Sequence, residues 1–319
     1  MIATDRRGYP LSRLMLGTVQ FGLPYGVANR TGQPAYEAVR EMVRVAVDAG
    51  INCFDTASAY GTSESILGRA LGELGLADQL LVVTKVAPLT DQALAEAPAA
   101  QRAIRDSIER SRQCLRIDRL PLVLFHRAED AVYGYLMEDL KREGRIERWG
   151  VSGDHDPETA LRLLDDPRIE ALQLPGNLLD HRHVNRGVYQ AAERAGVALF
   201  VRSVYLQGLL RMPETEIPER LRAVIDPRRQ LAALASRFGL TLGELAVRYV
   251  LSQPGVVAVV VGCETIEQLR ENIALIERGM LETELLEAVA AIKVDLPDDV
   301  ITPSMWNRPT TASEPLRRP

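Results

Sequence analysis

Four side chains are distinguished by their type and by what precedes them. Asp55 ends the apolar run 52–55 and leads through Thr56, Ala57, Ser58 and Ala59 to Tyr60. Lys85 follows the run 80–84, and His126 follows the run 121–125. An acid, a phenol, an amine and an imidazole so placed can serve one reaction. A hydride arriving at a carbonyl carbon leaves negative charge on the oxygen, which then needs a proton near neutral pH. A tyrosine with its usual pKa of about 10 is a poor acid. A lysine ammonium nearby stabilises the phenolate and lowers that pKa, and an aspartate paired with the lysine keeps the amine charged in a partly buried site. A histidine can hydrogen-bond the carbonyl and help to polarise it. Catalysis of this kind is positioning plus electrostatics, with a cofactor carrying out the redox step.

For these residues to converge, the runs that carry them must be neighbours in one sheet. Eight short runs rich in β-branched residues recur, at 14–18, 52–55, 80–84, 121–125, 149–152, 171–173, 197–201 and 256–261. Amphipathic stretches of helical length lie between most of them. The stretch 36–49 carries Ala38, Met42, Val45, Ala46 and Ala49 on one face, and 63–74 repeats the pattern with Ile66, Leu67 and Ala70. Thr241 begins another helix, and Thr265 with Gln268 has capping-box spacing before the last one. Apolar strands alternating with helices predict a parallel sheet covered on both faces. Eight such units close a (β/α)8 TIM barrel, an α/β fold whose strand ends gather catalytic side chains on one face. An open doubly wound sheet would need G-x-G-x-x-G after its first strand, and Gly17-Thr18-Val19-Gln20-Phe21-Gly22 lacks that spacing. The expectation is a single barrel domain over residues 1–319, with roughly the last 12 residues a flexible tail.

Composition narrows the function classes. A chain of 319 residues suits one large barrel, and a net charge of −5 offers no basic footprint for nucleic acid or an anionic membrane surface. Three cysteines without CxxC spacing argue against a disulfide framework. No apolar run is long enough to span a bilayer, and the N-terminal residues lack a signal-peptide pattern. A soluble cytoplasmic protein acting on a small molecule is the expectation.

In order and spacing, Asp55 and Tyr60 in FDTASAYG, Lys85 in VVTKV and His126 in LVLFH resemble the catalytic tetrad of the aldo-keto reductase family. GTVQFG, ERWGVSG, LQLPGNLLD, VRSVYLQGLL and VVGCETIEQLRENI extend the resemblance over roughly residues 11 to 307. It implies a nicotinamide cofactor, NADP(H) in most of the family. It also implies that Ser152 and Gln173 hold the carboxamide and that Ser203, Gln207, Gly208 and Leu209 wrap the pyrophosphate. Gly262, Glu264, Gln268 and Asn272 would hold the adenosine ribose. Two positions depart from the family pattern. Arg202 stands where relatives stack an aromatic ring on the nicotinamide, and guanidinium planes can also stack. Glu264 stands where relatives using NADP(H) often carry a cation, which makes NAD(H) plausible as well.

The substrate pocket is expected to include Gln20, Tyr25, Tyr205 and Trp306, a polar and aromatic mixture suited to a small aldehyde, ketone or aldose. Trp306 either lines this pocket or packs the tail. His181 and His183 read as a solvated loop and His155 as loop polarity, so no metal site is expected. The runner-up function is a catalytically weak cofactor-binding regulatory subunit, of the type of potassium-channel beta subunits, which share the fold.

Overall fold

A computed structural model of the chain describes residues 3–6, 9–77 and 79–306. Among the described residues there are ten strands: β1 (Ala3–Arg6), β2 (Tyr9–Ser12), β3 (Leu14–Gly17), β4 (Cys53–Asp55), β5 (Leu81–Val86), β6 (Leu120–Phe125), β7 (Ile146–Ser152), β8 (Ala171–Pro175), β9 (Ala198–Arg202) and β10 (Val256–Gly262). Strands β3 to β10 pair in parallel, each with the next, and β10 returns to β3 to close an eight-stranded barrel. This is the (β/α)8 architecture expected from the alternation of runs. Each of the eight runs corresponds to one barrel strand.

Two cores follow from the twofold alternation of side chains along each strand. One phase points into the barrel, where Met15, Cys53, Val83, Leu122, Leu124, Ala171, Phe200 and Val260 form an enclosed cluster. The other phase, including Leu16, Phe54, Val82, Val123, Val151 and Leu172, packs against the surrounding helices. The helix Tyr36–Asp48 buries Val39, Met42, Val43 and Ala46, and Ser63–Leu74 buries Leu67, Ala70 and Leu71. Gly75 ends the second helix in the left-handed conformation at φ 67°. Thr241 accepts from the Glu244 N–H at 3.1 Å and so begins the helix Leu242–Leu251 as its spacing predicts.

The hairpin β1–β2 was not legible in the polar N-terminal residues. It is tied to the start of the barrel by Asn52, whose side chain accepts from the Ser12 N–H and donates to the Pro10 carbonyl, both at 2.8 Å. Leu11 joins the interior cluster from this side. The hairpin therefore covers the end of the barrel at which the strands begin. The opposite end, where the strands finish, is the one left for a site. Among the described residues no helix is long and apolar enough to cross a membrane. The tail expected to be flexible lies outside the described residues from 307 onward.

Candidate active site

Strand phase explains why the candidate residues meet. Two residues beyond the interior positions Met15, Cys53, Val83, Leu124, Ala171, Phe200 and Val260 stand Gly17, Asp55, Lys85, His126, Gln173, Arg202 and Gly262. Ser152 joins the same layer, because Gly150 pairs with the inward Leu124 across β6 and β7. Every strand thus places one interior position near its end, in a staggered ring: Asp55 pairs with Val83 and Lys85 with Leu124, so Lys85 and His126 each stand two residues further along than the neighbour before. Seven of the eight belong to the expected site, and the eighth, Gly17, leaves room beside them.

At the centre of this layer is a buried ion pair. The Lys85 ammonium donates to Asp55 Oδ1 at 2.6 Å and to the Thr56 carbonyl at 2.9 Å, and Gln173 donates to the same carboxylate oxygen at 2.6 Å. Lys85 is 1% exposed and Asp55 4%. Burying two charges is costly, and it is tolerated where geometry and further hydrogen bonds are favourable, as they are here. Tyr60 sits over the pair, with Lys85 Nζ 5.1 Å from its ring centroid. His126 meets Tyr60 edge to face at 5.9 Å between ring centroids.

The turn that carries Tyr60 is fixed by its neighbours. Its N–H donates to Ala57, its carbonyl accepts from Ser63, and Gly61 takes a left-handed φ of 57°. Gly22 packs against this turn so closely that a Cβ there would fall 1.9 Å from the Tyr60 carbonyl oxygen. A hydroxyl network of Thr18, Thr56 and Ser63 locks the same turn to the end of β4.

Burial first, and then the charges of Lys85, Arg202 and Arg127, push the His126 imidazole down to about 3. It is therefore neutral at physiological pH, a hydrogen-bonding group rather than a proton source. In the unfolded chain this imidazole would protonate near its ordinary 6.5. Its contribution to stability is therefore fully present above about 6.5 and declines as pH falls toward about 3.

Beside these residues lies a cavity of about 520 Å³. Its wall includes Asp55, Tyr60, His126, Ser152 and Arg202 at the strand ends, then Ser203, Tyr205, Gln207 and Gly208, and finally Gly262, Glu264, Gln268 and Asn272. Gln20 and Tyr25 also line it. The loop after β9 holds three non-glycine residues at positive φ, Ser203 at 63°, Leu206 at 47° and Gln207 at 54°, before Gly208 at 90°. Such backbone costs about 1 kcal/mol or more per residue and clusters at ligand-holding turns. Helix Ile266–Glu277 starts at the wall, with Thr265 accepting from the Gln268 N–H. The Gln268 amide oxygen turns back to the Glu264 N–H at 2.8 Å, one residue earlier than a reciprocal capping box requires.

A nicotinamide cofactor fits these residues. Gln20 Oε1, on the cavity wall, is buried without a partner, which is what an acceptor waiting for a carboxamide or similar donor would show. Gly262 leaves open the space where a Cβ would strike the Gln20 amide at 2.3 Å.

Several expected residues are placed elsewhere. Trp306 does not line the cavity: it is 3% exposed, donates from its indole to the Val300 carbonyl at 3.1 Å, and accepts at its own carbonyl from Arg220. It packs the C-terminal segment because its large ring has an apolar bed there. Leu209 is fully buried in the outer core, away from the cavity wall. Gln173 and Lys85 lie beneath the wall rather than on it. Tyr205 lines the cavity, but its hydroxyl is committed to Asn272 Oδ1 at 2.6 Å.

The histidines are not solvated. His183 is 2% exposed and donates to the Asp154 carbonyl at 2.9 Å, and His181 packs against Tyr249 at 5.5 Å between centroids. His155 Nδ1 lies 2.7 Å from Asp180 Oδ2, and Arg182 binds the same carboxylate at 2.8 Å. Burial would raise the Asp180 carboxyl, but His155 and Arg182 hold it well below the usual range. Burial pushes the Cys263 thiol up to about 12, so it behaves as an inert small side chain.

Sequence reading missed Arg211, which lines the cavity, lies 5.1 Å over the Tyr205 ring, and pairs with Glu271 at 2.5 Å. Only the tight turns at 203–208 aim it inward, and nothing in its neighbours' types announces them.

Comparison with known proteins agrees with the fold. The sequence description "Aldo/keto reductase family" matches residues 13–293. Aldo-keto reductase YhdN of Bacillus subtilis (strain 168) is 27% identical, covering 95% of this chain and 96% of that protein. The NADH-specific methylglyoxal reductase of Escherichia coli (strain K12) is 27% identical, covering 86% and 92%. Among solved structures, the holo form of aldo-keto reductase AKR11C1 from Bacillus halodurans superposes with a TM-score of 0.77 at 23% identity, covering 94% of this chain and 99% of that one. The chain belongs to the aldo/keto reductase family, oxidoreductases that act on carbonyl groups with nicotinamide cofactors.

Proposed function

We propose that the chain interconverts a small polar aldehyde, ketone or aldose and its alcohol, with Tyr60 as general acid and base. One observation carries the reading most: the buried Lys85–Asp55 pair lies under the Tyr60 ring, with Lys85 Nζ 5.1 Å from its centroid. When bound, a nicotinamide cofactor supplies or accepts the hydride.

This chain's residues do the rest. As negative charge grows on the carbonyl oxygen, the Tyr60 O–H donates its proton to it and an alcohol results. The Lys85 ammonium stabilises the phenolate left behind, and Asp55, held by Gln173, keeps the ammonium in place. His126, neutral and half-buried beside Tyr60, orients the carbonyl by hydrogen bond without exchanging a proton. Ser152 would hold the carboxamide, and the turns at Ser203, Gln207 and Gly208 the diphosphate. Gly262, Glu264, Gln268 and Asn272 would hold the adenosine end. A panel of short aldehydes, aldoses and bulky ketones, assayed with both reduced cofactors by nicotinamide absorbance, tests the reading. Turnover of short polar carbonyls is expected. No turnover of any, or a higher kcat/KM for bulky apolar ketones, would overturn it.

The cofactor reading favours tolerance of both forms, with NAD(H) used well. Glu264 lines the cavity, and a carboxylate there repels a 2′-phosphate but accepts a hydrogen bond from a free 2′-hydroxyl. Arg211, the cavity cation nearest in role, is already matched by Glu271. One relative described as NADH-specific supports the same direction. Glu264→Arg is expected to shift the ratio of NADH to NADPH dissociation constants toward NADPH by roughly tenfold or more. A wild type that already prefers NADPH by about a hundredfold would mean that Glu264 does not face the ribose.

A further inference from the structure

One buried carboxyl has no counter-ion and no part in the proton transfer proposed for Tyr60. Of the buried carboxylates among the described residues, Asp55 is matched by Lys85, Asp130 by Arg127, Asp180 by Arg182 and Glu244 by Arg248. Glu64, 5% exposed, forms no ion pair among these residues. It is the second residue of the helix Ser63–Leu74, whose start lies three positions after Tyr60. A carboxylate in a first turn ordinarily faces solvent and gains from the helix dipole there. This one turns inward, to hydroxyls on two other elements. Thr84 donates to its Oε1 at 2.6 Å, and Ser111, on the helix Ala97–Leu115, bonds to it as well. Burial raises the Glu64 carboxyl, and those two hydroxyls and the Lys85 charge oppose the rise.

The place of this bond is what matters. Val83 faces the barrel interior, so Thr84 faces the helices and Lys85 the interior again. Glu64 therefore grips the outer face of the strand whose inner face presents the ammonium. On its own side it continues the Tyr60 turn, in which the Ser63 N–H donates to the Tyr60 carbonyl at 3.0 Å and Ser63 Oγ to the Thr18 carbonyl at 2.7 Å. The Glu64–Thr84 bond thus closes a short circuit from the phenol, along one turn of chain, to the residue next to the lysine. An apolar side chain would fill the same space at lower cost, because a buried carboxyl is expensive to desolvate. Nor is the bond needed to dock the helix. Gly68, one turn on, lets it approach the end of Ala97–Leu115 so closely that a Cβ would fall 2.2 Å from the Cys114 carbonyl oxygen. What the carboxyl adds is a short bond of fixed direction.

We propose that Glu64 is a positioning residue for proton transfer: by holding Thr84 it fixes the Tyr60 turn against the strand that carries Lys85. This rests on the reading of Tyr60 as general acid and base and adds a residue that acts through it. A misplacement of about 1 Å in a reacting group can cost roughly 10²-fold in rate.

Glu64→Leu combined with Thr84→Val removes both ends of the bond and leaves neither polar group stranded. The double variant is expected to keep the urea midpoint of the wild type, as neutral replacement of buried polar pairs often does. Its kcat should nevertheless fall by roughly tenfold to a hundredfold, with KM and the NADH dissociation constant within about threefold of wild type. Glu64→Gln keeps an acceptor oxygen for Thr84, and its kcat should stay within about threefold of wild type. A double variant with wild-type kcat overturns the proposal. So does a Glu64→Gln protein as slow as the double variant, since the bond survives in it. Thr84→Val alone leaves the helix untouched and should also lower kcat. If it does not, the proposal fails however the double variant folds. Amide hydrogen exchange without cofactor separates this inference from the reading beneath it. Residues 57–66 are expected to exchange faster in the double variant than in the wild type or Glu64→Gln, with the remaining strands unchanged. If no carbonyl is turned over, the general-acid reading fails, whereas that local loosening still supports the tie. Equal exchange across the turn in all three proteins overturns it.

Discussion

Tyr60→Phe is expected to lower kcat for carbonyl substrates by roughly 10²- to 10⁴-fold, the usual share of a positioned general acid. The dissociation constant of the reduced cofactor should move by less than about threefold. The substitution is a clean one. The ring that meets His126 edge to face and lies over Lys85 remains, and only the O–H is lost. Nothing nearby can replace the missing proton. His126 is held down to about 3 and is neutral, and Lys85 is spent on Asp55 and the Thr56 carbonyl. For the same reason His126 should put no break in the wild-type rate profile between about pH 5 and 9, although an unperturbed histidine would titrate there. Single-turnover rates with saturating cofactor measure the effect. A Tyr60→Phe protein retaining a tenth or more of the wild-type rate (a loss of no more than about 1.4 kcal/mol in barrier) would remove Tyr60 from the chemistry.

The candidate site at the strand ends was legible because it depends on strand phase, and strand phase is written locally. Once the run at 80–84 is read as a strand with Val83 facing inward, Lys85 must face inward too. The same step takes Cys53 to Asp55 and Leu124 to His126. The loops obey no such rule. Arg211 enters the cavity through turns whose non-glycine residues sit at positive φ, against their intrinsic preference. Trp306 finds its bed on segments near Val300 and Arg220, the latter 86 positions away. His183 is buried because Asp154 and Tyr189, on two other segments, enclose it. Polar side chains in a connection read as solvated unless the elements that cover them are known, and only tertiary packing supplies that. The N-terminal hairpin was hidden in a similar way. Its residues carry no alternation of their own, and Asn52 stabilises it from the residue before β4.

Lys85→Met tests the buried pair in two ways that a second substitution separates. The Lys85 side chain is 0% exposed and that of Asp55 6%, so removing the amine leaves a carboxylate in the barrel with Gln173 as its remaining side-chain donor among the described residues. Breaking a buried pair from one side typically costs about 3–5 kcal/mol, and the urea midpoint should fall accordingly. The chemical step should fall as well, by roughly 10²-fold or more, because the charge that stabilises the phenolate is gone. Cofactor affinity should change little, since Lys85 lies beneath the cavity wall rather than on it. Adding Asp55→Asn removes the stranded charge while keeping an amide of similar shape. The double variant should regain a large part of the lost stability, since isosteric neutral replacement of a buried pair is often nearly free. Its rate should not recover, because neither change restores a cation under Tyr60. If rate and stability return together, Lys85 acts only by holding Asp55 and the fold. If the single variant instead binds NADH poorly and turns over normally at saturation, its place is in cofactor binding and the proton-transfer reading of the pair is wrong.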